Sequence, residues 1–123
     1  MLILDTSLWI EVFNLNPAYY PRVLPLIEQR EIFAIECVFG ELLQGARNKA
    51  EQGQILQYRA CLPKINNKEI FIEAGLYVNK HKLYARGVGL IEAVILMHGL
   101  HAKAKIWTLD KKFKKIIPKE LVY

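Results

Sequence analysis

The chain has 123 residues, 53% of them apolar, enough for one folded core and too many for a disordered segment. Its formal net charge is +5, with the excess gathered late in Lys103, Lys105, Lys111, Lys112, Lys114, Lys115 and Lys119, a balance that favours polyanions such as RNA or DNA. No apolar run is long enough to span a membrane. No basic stretch precedes the first apolar run, so no signal peptide is expected. Cys37 and Cys61 lack metal-ligand spacing and read as free thiols of a cytoplasmic protein. Most lysine-rich faces are simply solvated, so the charge gains meaning only beside an acidic pocket.

In chain order, Met1 to Leu4 is a continuous apolar run, the pattern of a strand buried on both faces in a parallel sheet. Asp5 follows at its carboxyl end, where open α/β sheets build their sites. Thr6 or Ser7 can cap the next helix, whose apolar face is Leu8, Trp9, Val12 and Phe13. Asn14 to Pro17 breaks it. Pro21 and Pro25 fit the approach and first turn of a second helix ending near Arg30. Glu31 to Ile35 is β-prone. Val38, Phe39, Leu42, Leu43 and Ala46 then form a strong helical stripe, with Glu41 at its margin.

Asn48 with Glu51 resembles a capping box opening a fourth helix that ends before Pro63. Leu62 to Ile65 reads as a third, short strand. Asn66 with Glu69 is a second cap signature. It opens a long helix with Ile70, Ala74, Tyr77, Val78, His81 and Tyr84 on one side. After the turn at Arg86 to Gly89, the helix from Leu90 to His98 is apolar nearly all round and therefore buried. Gly99 is expected to end it. Ala104 to Thr108 reads as the fourth strand, followed by Asp110, a short helix around Phe113, and a possible edge strand at Leu121 to Tyr123. Strands alternating with helices imply a parallel sheet covered on both faces.

Four carboxylates fall at special places. Asp5 and Asp110 lie at strand ends, Glu41 near a helix start, and Glu92 in the first turn of a buried helix. Each has a bland explanation: Asp5 and Asp110 as caps, Glu41 as a solvated charge. Glu92 is the hardest to dismiss, because an unpaired buried carboxylate is costly. Together they suggest a site for a hard divalent cation, which takes oxygen ligands.

The blocks Leu4-Asp5-Thr6-Ser7, Glu41-Leu42-Leu43-Gln44-Gly45-Ala46, Gly89-Leu90-Ile91-Glu92-Ala93 and Trp107-Thr108-Leu109-Asp110 resemble the signature blocks of PIN domains. The resemblance is closest to the small VapC-type ribonuclease toxins of VapBC toxin–antitoxin systems, and it covers nearly the whole chain. It implies a single domain over 1–123, a three-layer α/β/α PIN-like fold with a mainly parallel central sheet. It also implies Mg²⁺- or Mn²⁺-dependent endoribonuclease activity, homodimerisation and inhibition by a cognate antitoxin. Carried over by position, Asp5, Glu41, Glu92 and Asp110 would hold the metal directly or through water. Thr6 and Thr108 would orient them, and Arg86, Lys111 and Lys112 would follow the RNA backbone. The mechanism implied is in-line attack of an activated water on the phosphodiester, leaving a 5′-phosphate and a 3′-hydroxyl.

Two departures stand out. Glu92 occupies a position where the family usually has Asp, and Glu36-Cys37 stands where Ser or Thr is often found. The first motivates an alternative, a catalytically weak PIN-fold module that binds RNA or protein. A phospho-acceptor receiver domain is a third reading, disfavoured because its acidic pair belongs near the first strand. His98 and His101, three residues apart, are read as structural or solvent-facing, and His81 as a core histidine.

Overall fold

The computed structural model describes residues 1–123. Strand β1 (Leu2–Leu4) lies at the centre of a three-stranded sheet of order β2-β1-β3, with β2 (Ile32–Phe33) and β3 (Lys105–Trp107) both parallel to it. The register pairs Leu2 with Ile32 on one side and with Lys105 on the other. A central strand in a covered sheet has no wet face, which is why Leu2, Ile3 and Leu4 are all buried and why the run shows no alternation. Burying each such side chain contributes about 1.5–3 kcal/mol.

Helices cover the sheet: α1 (Thr6–Phe13), α2 (Tyr20–Glu28), α3 (Glu36–Gln44), α4 (Lys49–Cys61), α5 (Ile70–His81), α6 (Leu90–Ala102) and α7 (Lys111–Ile116). The chain is thus an α/β protein with a parallel sheet, as its alternating pattern indicates. Trp9 and Phe13 of α1 meet Phe39 of α3 and Tyr58 of α4 in one aromatic cluster, with ring centroids 5.1–6.1 Å apart. Helix α6 is the most deeply buried, from Ala93 through Gly99. No helix is long and apolar enough to cross a membrane.

Several local expectations are corrected. Leu62 to Ile65 is not a strand but a single bridge between Ala34 and Lys64, since Pro63 can offer only its carbonyl, to the Ala34 N–H. Pro25 lies inside α2 rather than in its first turn. Glu69 does not complete a cap with Asn66; it adopts a left-handed conformation (φ 63°) and no side chain caps α5. Helix α5 stops at His81 and gives way to a 3-10 turn over Leu83–Arg86, which leaves His81 and Tyr84 exposed rather than on an inner face. Leu121 to Tyr123 contributes one bridge, Ile106 to Val122, after a 3-10 turn.

Gly99 does not end α6. The helix runs on to Ala102 and closes at Lys103, which is left-handed (φ 53°). Gly99 serves packing instead. A Cβ there would meet Ile106 Cδ1 at 2.8 Å and the Ala104 carbonyl oxygen at 3.3 Å. His98 is buried, not solvent-facing, and its Nδ1 has no hydrogen-bond partner. Burial, with His101 nearby, lowers its pKa and keeps the ring neutral. His101 pairs with Glu73 at 2.7 Å, so the two histidines do not act together. Both cysteines are free; Cys61 is exposed, while burial and the Glu41 charge push the Cys37 thiol up to about 11, an unreactive value.

Candidate active site

The site grows from the end of β1. The chain leaves the strand at Asp5, whose extended backbone makes it the N-cap of α1. Asp5 is only 6% exposed, and its carboxylate draws donors from two segments far apart in sequence. Oδ1 accepts from the Thr6 N–H at 2.8 Å, and Oδ2 accepts from Ser7 Oγ at 2.9 Å and Thr108 Oγ1 at 2.7 Å. A charge taken out of water needs such donors.

The two hydroxyls also hold the loop after β3. Ser7 Oγ accepts from the Leu109 N–H at 3.1 Å, and Thr108 Oγ1 accepts from the Asp110 N–H at 3.0 Å. Each therefore donates to Asp5 and accepts from the loop, locking strand end to strand end. Asp110 in turn caps α7, its Oδ1 accepting from the N–H groups of Lys112 (2.8 Å) and Phe113 (3.2 Å). Its bland and functional roles coexist, because Oδ2 makes no hydrogen bond within the chain.

Thr6 Oγ1 donates to Glu41 Oε1 at 2.7 Å, tying α1 to the solvent-exposed acid of α3. Glu92 lies in the first turn of α6 and is partly buried. Its carboxyl is held above the usual range, first by burial and then by the charges of Asp5 and Glu41. The N–H groups of Gly89 and Glu92 pull it the other way. Glu92 Oε2 also lies 3.4 Å from where a Gly89 Cβ would stand. The side chain thus doubles back over its own helix start, as an acid at the third helical position can.

The fold therefore brings Asp5, Glu41 and Glu92 from three chain segments into one electrostatic neighbourhood, and hydroxyl bonds attach Asp110 to it. The three ion pairs of the molecule lie elsewhere, and none uses any of these acids. No three acidic, histidine or cysteine side chains converge tightly enough to cage an ion as they stand. The donor chemistry nonetheless fits a hard cation. Mg²⁺ keeps several waters and needs only one or two carboxylates beside substrate phosphate, and four carboxylates without a basic partner offer that.

Among the basic candidates, the Lys112 side chain lies across Gly87; its Cδ is 2.7 Å and its Nζ 3.3 Å from the place a Gly87 Cβ would take. Gly87 is left-handed (φ 78°) and leaves that room. Lys112 is thereby brought to the turn that carries Arg86. Lys111 is exposed at the start of α7. Ser7 is the contributor that sequence reasoning treats only as a possible cap. The signal is a hydroxyl two residues after a strand-end Asp, but its bond to Leu109 is a tertiary fact.

The search of curated proteins found no match to the chain. A family model described as PIN domain matches residues 2–117, from the first residue of β1 to just beyond α7. That span takes in Asp5, Glu41, Glu92 and Asp110 with the hydroxyls that position them, and the chain belongs to the PIN domain family.

Proposed function

We propose that this protein is a metal-dependent endoribonuclease, the toxin component of a toxin–antitoxin pair. PIN domains are generally metal-dependent nucleases, and the finer assignment rests on one observation. Thr6 bonds both Asp5 and Glu41, Glu92 is held above the ordinary carboxylate range first by burial and then by the charges of those two acids, and none of the three takes part in an ion pair. Like charges gathered in this way ask for a cation.

Asp5, Glu41, Glu92 and Asp110 would hold Mg²⁺ or Mn²⁺. The bound cation would supply water activation and neutralise charge developing on the phosphodiester. The chain's own groups do the rest. Thr6, Ser7 and Thr108 fix the carboxylates. Lys112, Arg86 and Lys111 bind backbone phosphates of RNA, a contribution independent of sequence. The remaining partners in this reading are an antitoxin and a second copy of the chain. In this reading the protein works in the cytoplasm, with which two free thiols are compatible.

A second reading, a catalytically weak PIN-fold module binding RNA or protein, is favoured by the doubled-back Glu92, which spends its reach on its own helix start. Cleavage of structured RNAs with Mg²⁺, with Mn²⁺ and in EDTA separates the two. Metal-dependent cleavage abolished by Asp5→Asn supports the nuclease. Cleavage that begins only after Glu92→Asp supports the weak module, and equal cleavage in EDTA sinks the metal site. Induced expression that arrests growth for the wild type but not for Asp5→Asn supports the toxin assignment.

A further inference from the structure

A cleft of about 150 Å³ opens between the starts of α3 and α5 and the second half of α6, and none of the four acids lines it. Its walls are apolar, with Ile35, Ile65 and Val94, and Phe71 stands in its lining with 47% of its surface exposed. Polar groups converge on it from three elements. Glu36 and Cys37 are the first two residues of α3, and Ile70 and Phe71 the first two of α5, so their N–H groups have no acceptor within their own helices. No side chain caps either helix. From α6 comes His98, which is 4% exposed and whose Nδ1 has no hydrogen-bond partner. A buried polar atom left in that state costs free energy that a bound ligand would recover. Glu36 and Glu69 add exposed carboxylates, and neither takes part in an ion pair.

We infer that this cleft takes one unpaired base of the RNA substrate. The donor and acceptor types narrow the occupant. An inorganic anion would suit the two helix starts but would meet Glu36 and Glu69. A metal ion would suit those carboxylates with Cys37 and His98, but it opposes two helix dipoles, and no three of these side chains gather tightly around one point. A base is neutral and flat, and its edge carries acceptors beside donors. Its acceptors match the free N–H groups and its donors match the carboxylates. Phe71 presents a ring for stacking, the way unpaired bases of RNA are commonly held. The position agrees. Cys37 stands four residues before Glu41 on α3, about 6 Å along the axis, and His98 six residues beyond Glu92 on α6, about 9 Å. A base close along the strand to the phosphate at the acids can therefore reach the cleft. The role of the cleft rests on RNA being the substrate, and it would give the nuclease a choice among sequences that phosphate contacts cannot supply.

The test begins with amide spectra of the isotope-labelled full chain titrated with adenosine, guanosine, cytidine and uridine in EDTA. Nucleosides carry no phosphate and the titration needs no metal, so the cleft is read apart from cleavage, and either can fail alone. At millimolar concentration at least one nucleoside should move the amide signals of Glu36, Cys37, Ile70 and Phe71 together, with the His98 ring signals. Inorganic phosphate should leave them in place. A second arm uses a single-stranded RNA that the Asp5→Asn protein selects from a random pool, made abasic at each position in turn. One abasic position should weaken binding by roughly 5–100-fold, the effect of losing one stacked base. Phe71→Ala in the Asp5→Asn background should weaken binding of the intact RNA to a similar degree and lose its sensitivity to that position. Phe71 is half-exposed, so an unchanged melting temperature is expected. Amides unmoved by all four nucleosides, an equal response to inorganic phosphate, or a Phe71→Ala protein that still senses the abasic position would overturn the assignment.

Discussion

At the residue scale, Asp5 depends on hydroxyls more than on any charge. Thr108 Oγ1 donates a hydrogen bond to Asp5 Oδ2 and accepts one from the Asp110 N–H, and the residue is 7% exposed. Thr108→Val keeps the shape and removes both bonds. Leaving a buried polar group unpaired costs about 1–3 kcal/mol, and loss of a group that orients metal ligands typically costs about 10–100-fold in activity. Urea denaturation and initial cleavage rates should show both losses for Thr108→Val. Thr108→Ser, which keeps the hydroxyl, should recover most of the rate. Equal loss in the two variants would mean the methyl, not the bond, matters.

Glu92 yields a prediction about pH. Its carboxyl is held above the ordinary value, chiefly by burial, so the folded chain holds this proton to higher pH than the unfolded chain does. The associated stability is present in full below the ordinary carboxylate pKa and is lost as pH rises through the raised one. Melting of the protein in EDTA should therefore show a Glu92-dependent decline across that window, absent in Glu92→Gln. Saturating Mn²⁺ should reverse its sense, because a cation favours the ionised acid. A Glu92→Gln melting profile parallel to the wild type in EDTA would refute the claim that the fold holds the Glu92 proton to higher pH.

At the element scale, the features legible in the sequence are those written in local periodicity. Leu2-Ile3-Leu4 announces a strand buried on both faces, and the evenly apolar Leu90 to Met97 a helix buried all round. Both stand as read. What cannot be read is set by partners distant in sequence. Gly99 looks like a helix stop from its neighbours, yet it is where Ile106 of β3 presses on α6. Leu62 to Ile65 has strand composition, but only one bridge to Ala34 forms. The packing at Gly99 is directly testable. A methyl at Gly99 would meet Ile106 Cδ1 at 2.8 Å and the Ala104 carbonyl at 3.3 Å, and the backbone there cannot easily yield. Gly99→Ala ordinarily stabilises a helix. Here overpacking should win, with a net loss of about 1–3 kcal/mol in urea denaturation. Pairing it with Ile106→Val, which withdraws the offending carbon, should recover part of that loss and so assign it to the clash with Ile106.

At the scale of the whole molecule, the sequence exposes the donor types of the site but not their binding to one another. Asp5, Asp110 and Glu92 can be named from strand ends and a helix start; Glu41, expected near a helix start, instead lies in the second half of α3. That Ser7 and Thr108 lock Asp5 to the Asp110 loop, and that Glu92 turns back toward Gly89, depend on how β1, β3 and α6 come together. The same holds for charge. The net +5 says that a polyanion is welcome but not where it lies. The fold narrows the choice by laying Lys112 across Gly87, next to Arg86 and on the helix that Asp110 caps. If RNA phosphates bind at that edge, Lys112→Ala in an Asp5→Asn background, where cleavage does not interfere, should weaken binding by a similar factor for every RNA sequence. It should also flatten the salt dependence, since each phosphate that a lysine no longer neutralises takes about 0.7 from the slope of log K against log salt on a single strand. Lys119→Ala, which removes an exposed lysine in the 3-10 turn beyond α7, should change the slope far less. Fluorescence anisotropy with labelled RNA across a salt series reads both. Equal slopes for Lys112→Ala and Lys119→Ala would mean that the basic charge acts as a diffuse field, and the phosphate track would have to be sought away from the Arg86–Lys112 edge.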